Sequence, residues 1–182
     1  MTLRELVENC CGDTNHWAEI LVFDNEEDIE NLAQFDNSMM LVDEFLIDTY
    51  DWDFITEILD AINDTGIPSG IITSFPFKTS EELIDSPILE DKSLFDFYMI
   101  PVNKLGYMMD VPDFRSDKQE ELKGMLDKID KKIIINKILA VGIQRPDEAF
   151  NFLNTLDFAD MVSVGIASER EAEETFDILN KI

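Results

Sequence analysis

The sequence predicts an α/β fold built on a parallel sheet, and three observations carry that prediction. Apolar runs of strand length recur along the chain, each rich in β-branched or aromatic residues. Helix-start signals follow them, and the segments after those signals carry apolar stripes at helical spacing. Strands that alternate strictly with helices pair in parallel through right-handed crossovers. Near-continuous apolar strands are those of a sheet that helices cover.

Six strands are expected, at residues 18–23 (AEILVF), 39–47 (MMLVDEFLI), 69–75 (SGIITSF), 95–102 (FDFYMIPV), 132–141 (KIIINKILAV) and 160–166 (DMVSVGI). Capping-box pairs, in which a polar residue and an acid or amide three positions on satisfy each other's orphan amides, stand at Asp24 with Glu27, Thr79 with Glu82, Ser116 with Gln119 and Ser168 with Glu171. The helix after Gly142 opens instead with Pro146, whose fixed φ suits a first turn, followed by Asp147 and Glu148. Phe54, Ile55, Ile58, Leu59 and Ile62 stripe a helix that Thr65 and Gly66 end; Ala149, Phe150, Leu153 and Leu156 stripe another, and Ala172, Phe176 and Leu179 the last. Residues 86–94 and 106–116 are the least regular, and the second, GYMMDVPDFRS, reads as a lid or as a loop packed onto the body. No linker or low-complexity stretch divides the chain, so residues 1–182 are expected to form one domain.

Composition narrows the function classes. The chain of 182 residues is 45% hydrophobic, enough for a sizeable core. It carries 14 basic against 40 acidic residues, and up to Phe77 the only basic residue is Arg4, against 18 acids. Such a surface repels phosphate backbones, which argues against a nucleic-acid partner and leaves solubility or a basic protein partner as its uses. No apolar run has membrane-spanning length, and the N-terminus lacks the basic start and apolar stretch of a signal peptide, so a cytoplasmic protein without a membrane partner is expected. Cys10 and Cys11, the only cysteines, are adjacent, which strains a disulfide and suits reduced thiols. With His16 they lack the usual spacing and fourth ligand of a zinc site, so no metal is expected. The turn after the first strand, DNEEDIEN, has no glycine and five acids, the opposite of a pyrophosphate cradle, and no GxGxxG or Walker motif occurs. No nucleotide cofactor is expected.

Residues 138–179, ILAVGIQRPDEAFNFLNTLDFADMVSVGIASEREAEETFDIL, resemble the last two β/α units of TIM barrels of the phosphate-binding or aldolase-like kind. There a strand ends in a glycine turn, a Pro-Asp/Glu-Ala helix follows, and the next strand reads Ala-Asp-x-Val-x-Val-Gly. The resemblance spans about residues 133–182 and implies a (β/α) barrel, with the turns at Gly142 and Gly165 as the place for an anion. The first turn has one glycine where the phosphate-binding families commonly have two. TIM barrels run to about 250 residues and eight strands, so a reduced or distorted barrel with six clear strands is expected. Its open edges would need a helix, a loop or a second copy in a homodimer. An open doubly wound sheet is the alternative.

In either architecture ligands bind at the carboxyl ends of the strands. The polar residues expected there are Glu44 and Asp48 as proton-transfer groups, Ser74, Asn103 and Ser163 as ligand contacts, and Gly142, Gly165 and Ser168 as turn donors. Lys137 stands out, because it interrupts IIINKILAV on the face of Ile135, Leu139 and Val141. A lysine in an apolar strand must be paired or lose its charge. It is therefore either a salt-bridge partner of Asp43, Glu44 or Asp48, or a reactive amine. Two functions follow: an aldolase-, lyase- or isomerase-type enzyme acting on a small anionic or carbonyl metabolite, or a non-catalytic barrel relative that uses its acidic surface to bind a ligand or protein.

Overall fold

The computed structural model describes residues 19–23, 29, 33 and 38–179. The Cys10, Cys11 and His16 cluster, the cap pairing Asp24 with Glu27, and any strand within the first 17 residues lie outside them. Six strands form one sheet: β1 (Glu19–Phe23), β2 (Ser38–Val42), β3 (Ser69–Ile72), β4 (Phe97–Pro101), β5 (Lys132–Asn136) and β6 (Met161–Val162). Every neighbouring pair is parallel and the spatial order follows the chain order, β1-β2-β3-β4-β5-β6. A doubly wound sheet reverses its order at a switch point; this one does not, so the winding is that of a barrel. Among the described residues no pairing joins β1 to β6, and the sheet stays open.

Between the strands lie α1 (Glu44–Ile47), α2 (Trp52–Asp64), α3 (Pro76–Ile84), α4 (Pro87–Glu90), α5 (Ser116–Ile129), α6 (Pro146–Leu153) and α7 (Glu169–Leu179). The two faces of the sheet bury different clusters. Met40, Val42, Ile71, Tyr98, Ile100, Ile133 and Ile135 face the helices and join the large core with Ile55, Leu59, Leu83, Leu122 and Phe150. The alternate residues Met39, Leu41, Ile72, Phe97, Met99 and Ile134 form a small second cluster on the other face, where a barrel has its interior. At Gly70 a Cβ would come within 2.6 Å of the Phe97 carbonyl oxygen and of Leu41 Cδ2, so only glycine lets β3 and its neighbours approach this closely. Tyr98 is wholly buried on the helix side, its hydroxyl 3.1 Å from Ser80 Oγ on α3, and burial pushes its phenol well above the ordinary pKa.

Strand bounds differ from expectation in a consistent way, because the strands stop earlier. The run 39–47 is β2 only as far as Val42; Asp43 then accepts from the Phe45 amide at 2.9 Å and caps α1. Asp43 and Glu44 therefore do not alternate across a strand. The run 132–141 is β5 only to Asn136, so Lys137 lies just beyond the strand instead of inside it. Residues 86–94 hold the short α4 and no strand. Apolar composition continues past each strand because the following turn also packs on the core, and periodicity cannot separate the two.

Two caps also shift. Thr79 sits inside α3, which opens at Pro76 and takes its cap from afar: Asp110 accepts from the Phe77 and Lys78 amides at 3.0 and 2.7 Å. Gln119 reaches back past Ser116 to the Phe114 carbonyl. Ser168 does cap α7, accepting from the Glu171 amide at 3.3 Å while Glu171 accepts from the Ala167 amide at 2.9 Å. The segment 106–116 is packed down. Met109 and Phe114 are buried, and Phe114 makes edge-on contacts with Phe77 and Phe152. No helix among the described residues is long and apolar enough to cross a membrane.

Candidate functional site

The loops at the carboxyl ends of the strands build two adjoining groups of polar residues. The first lies beyond β2 and β3. Asp48, at the end of α1, accepts from the hydroxyls of Thr73 and Thr79 on Oδ1 and from the Ser74 amide, 3.0 Å away, on Oδ2. Thr73 and Thr79 are fully buried, so this carboxylate satisfies donors that water does not reach. Its bonds tie the β2 loop to the β3 loop, which makes Asp48 a structural clasp. Ser74 turns its hydroxyl to Glu44 Oε1 at 3.1 Å.

Lys137 connects this group to the second. β2 and β5 are three strand spacings apart, about 14 Å in a flat sheet. Lys137 Nζ lies 3.9 Å from Glu44 Oε1, the two long side chains reaching toward each other across the strand ends. Both side chains keep about a quarter of their surface exposed, so the pair is worth only about 1 kcal/mol. Lys137 itself has φ +54, and Ala140, Val141 and Gly142 follow at +47, +52 and +85. Three non-glycine residues in left-handed conformation within five positions concentrate strain in this turn, most of all at β-branched Val141.

The second group lines a cleft of about 560 Å³ between the β5 and β6 ends. Its walls include Asn136, Lys137, Gly142 and Gln144 from one side, and Ser163, Gly165, Glu171, Glu174 and Thr175 from the other. Gln144 is 5% exposed, yet neither its Nε2 nor its Oε1 has a hydrogen-bond partner, and Asn136 Oδ1 has none either. Each such orphan costs about 1–3 kcal/mol, an expense that packing alone does not explain.

The first turn does not form a free backbone anion cradle. The amides of Gly142, Ile143 and Gln144 donate to the carbonyls of Leu139 (2.9 Å), Ala140 (3.2 Å) and Leu139 (3.1 Å). In the second turn the Ala167 amide is taken by the Glu171 carboxylate, which already occupies the place of an anion. The Ser163 amide extends the β5–β6 pairing by donating to the Ile135 carbonyl at 2.8 Å.

Of the expected site residues, the cleft gathers Lys137, Gly142, Ser163 and Gly165, with Ser168 capping the helix whose first turns form its far wall. Glu44 joins through Lys137, and Ser74 through Glu44. Asn103 stands apart, since its Nδ2 donates to the Tyr107 carbonyl and its Oδ1 accepts from the Leu105 and Tyr107 amides, which knits the loop after β4. Sequence reasoning missed Gln144 and Thr175. Gln144 sits among the residues before Pro146 and reads as turn, and Thr175 lies within an otherwise acidic helix. Among the described residues no group of three or more His, Cys, Asp or Glu is placed to hold a metal ion. Exposed apolar side chains from successive loops, Phe45, Phe75, Tyr107, Met108, Val141 and Ile143, stand beyond the β2 to β5 ends.

No protein-family model matches the chain, and no curated protein matches it by sequence. Among solved structures it is similar to the aldo-keto reductase AKR11C1 from Bacillus halodurans in its holo form, with a TM-score of 0.51 and 10% sequence identity over 97% of this chain and 79% of that one. At that identity the likeness speaks for the fold, which is TIM-barrel-like, with its parallel sheet left open.

Proposed function

We propose that the protein is an enzyme of lyase, aldolase or isomerase type that acts on a small carbonyl metabolite in the cleft between the β5 and β6 ends. The observation that carries this reading is Lys137, on the cleft wall just past β5 with the Glu44 carboxylate 3.9 Å from its amine. Glu44 is the base in reach to take the ammonium proton. The free amine then attacks the carbonyl carbon, and the proton returns to the carbinolamine hydroxyl as it leaves as water. The Schiff base that results withdraws electrons from the neighbouring carbon, the step common to these reaction classes. The barrel it resembles is named for aldehydes and ketones, which agrees with a carbonyl substrate. The occupied amides of the Gly142 turn and of Ala167 favour the carbonyl over the anion as the group recognised.

Borohydride reduction in the presence of pyruvate, glyceraldehyde and dihydroxyacetone, followed by peptide mass spectrometry, tests the reading. The expected result is a reduced adduct on Lys137 that is lost in Lys137→Met. Labelling confined to exposed lysines sinks the amine mechanism. A second reading, a non-catalytic module for a basic partner, is favoured by the formal charge of −26. It requires a partner whose affinity weakens steeply with salt.

A further inference from the structure

Gln144 and Asn136 place three unpartnered polar atoms on the wall of one cleft: an amide nitrogen that donates and two amide oxygens that accept. Buried polar groups in folded proteins are nearly always paired, and these belong to two side chains that line the cleft, their polar atoms just beneath its surface. Their pairing needs select a ligand. A carboxylate offers only acceptors and leaves the two oxygens unmet; an ammonium offers only donors and leaves Gln144 Nε2 unmet. A ketone or ester carbonyl satisfies the nitrogen alone. Among organic groups a primary carboxamide matches all three in kind, as a single water molecule also does: it has an oxygen for Gln144 Nε2 and two N–H bonds for Gln144 Oε1 and Asn136 Oδ1. Glu171 and Glu174 on the opposite wall further disfavour an anionic ligand.

We infer that this cleft recognises a small metabolite through a neutral primary carboxamide, with Gln144 and Asn136 as the residues that select it. The inference rests on the proposed reading that the cleft holds a small metabolite, but not on the chemistry assigned to Lys137. Borohydride trapping can fail while carboxamide selection stands, and the reverse.

The test is a fragment titration of the full chain followed by two-dimensional NMR of the Asn and Gln side-chain amides. The probes are benzamide, N,N-dimethylbenzamide, which has lost both donors, and acetophenone, which never had them. Benzamide is expected to shift the Gln144 and Asn136 side-chain signals and to bind at least about tenfold tighter than either control, since sites built to pair a polar group reject analogues that leave their own groups unpaired. Gln144→Met, close in volume, should erase that preference while circular dichroism stays unchanged. Equal binding of the three probes, or benzamide shifts that leave Gln144 and Asn136 unmoved, overturns the inference. The comparison among probes on the unaltered protein decides the matter even if the variant fails to fold.

Discussion

The mouth of the sheet is built in two styles. Beyond β2 and β3, Asp48 accepts three hydrogen bonds, two of them from buried hydroxyls, and its oxygens are committed to the clasp. Beyond β5 and β6, a buried glutamine has both amide atoms unpaired, and the turn before it holds Lys137, Ala140 and Val141 at positive φ. Both regions are polar and both follow apolar strands. The difference is that one satisfies its groups internally and the other leaves them to be satisfied from outside. Strain and orphaned polarity cost stability, and they persist where something other than stability is served. That contrast is why we propose the β5 and β6 ends as the binding region, while the bonds of Asp48 give it a structural task.

Three substitutions test the contrast, from the largest expected effect to the smallest. Asp48→Ala should lower the unfolding free energy by about 2 kcal/mol, because it removes the acceptor of the Ser74 amide and of the buried Thr73 and Thr79 hydroxyls, which keep each other as partners; urea denaturation reads it directly. A loss below about 1 kcal/mol would mean the clasp is ornamental and the two regions are alike. Val141→Asn should raise stability by about 1 kcal/mol, since asparagine tolerates the left-handed region far better than a β-branched residue. The Val141 side chain is 64% exposed, so little packing is lost. Unchanged stability there would remove the claim that the turn stores strain. Gln144→Met should move stability by less than about 0.5 kcal/mol, or raise it, because removing an unpaired amide sacrifices no hydrogen bond. A loss comparable with that of Asp48→Ala would show that Gln144 is satisfied within the fold.

Solution pH offers an independent check on the core. Burial holds the Tyr98 phenol protonated well beyond its usual range. Above about pH 10 the unfolded chain sheds that proton while the folded chain keeps it. Stability should therefore fall as pH rises past that point, and an ultraviolet titration should show Tyr98 ionising only with unfolding. Ionisation of all three tyrosines in the folded protein would contradict the packing of α3 on β4.

Local chemistry settled much of this protein before any tertiary contact was known. Alternation of strand-like and helix-like periods gave parallel winding, and the Ser168–Glu171 and Pro146 signals placed the starts of α7 and α6, because caps and propensities act over three or four residues. Lys137 was legible as an oddity, since a charge in an apolar run is rare whatever surrounds it. The tertiary structure decided the rest. Whether LVDEF continues a strand or turns at Asp43 depends on bonds that the sheet and the β3 loop make, and periodicity does not contain them. Which carboxylate meets Lys137 was a choice among three, decided once Asp43 caps α1 and Asp48 takes the Thr73, Ser74 and Thr79 donors, which leaves Glu44. That Asp48 is spent and Gln144 is not depends on partners up to 31 residues away in one case and on the lack of any in the other. Hydrogen-bond satisfaction is a property of the folded surroundings, and no single residue announces it.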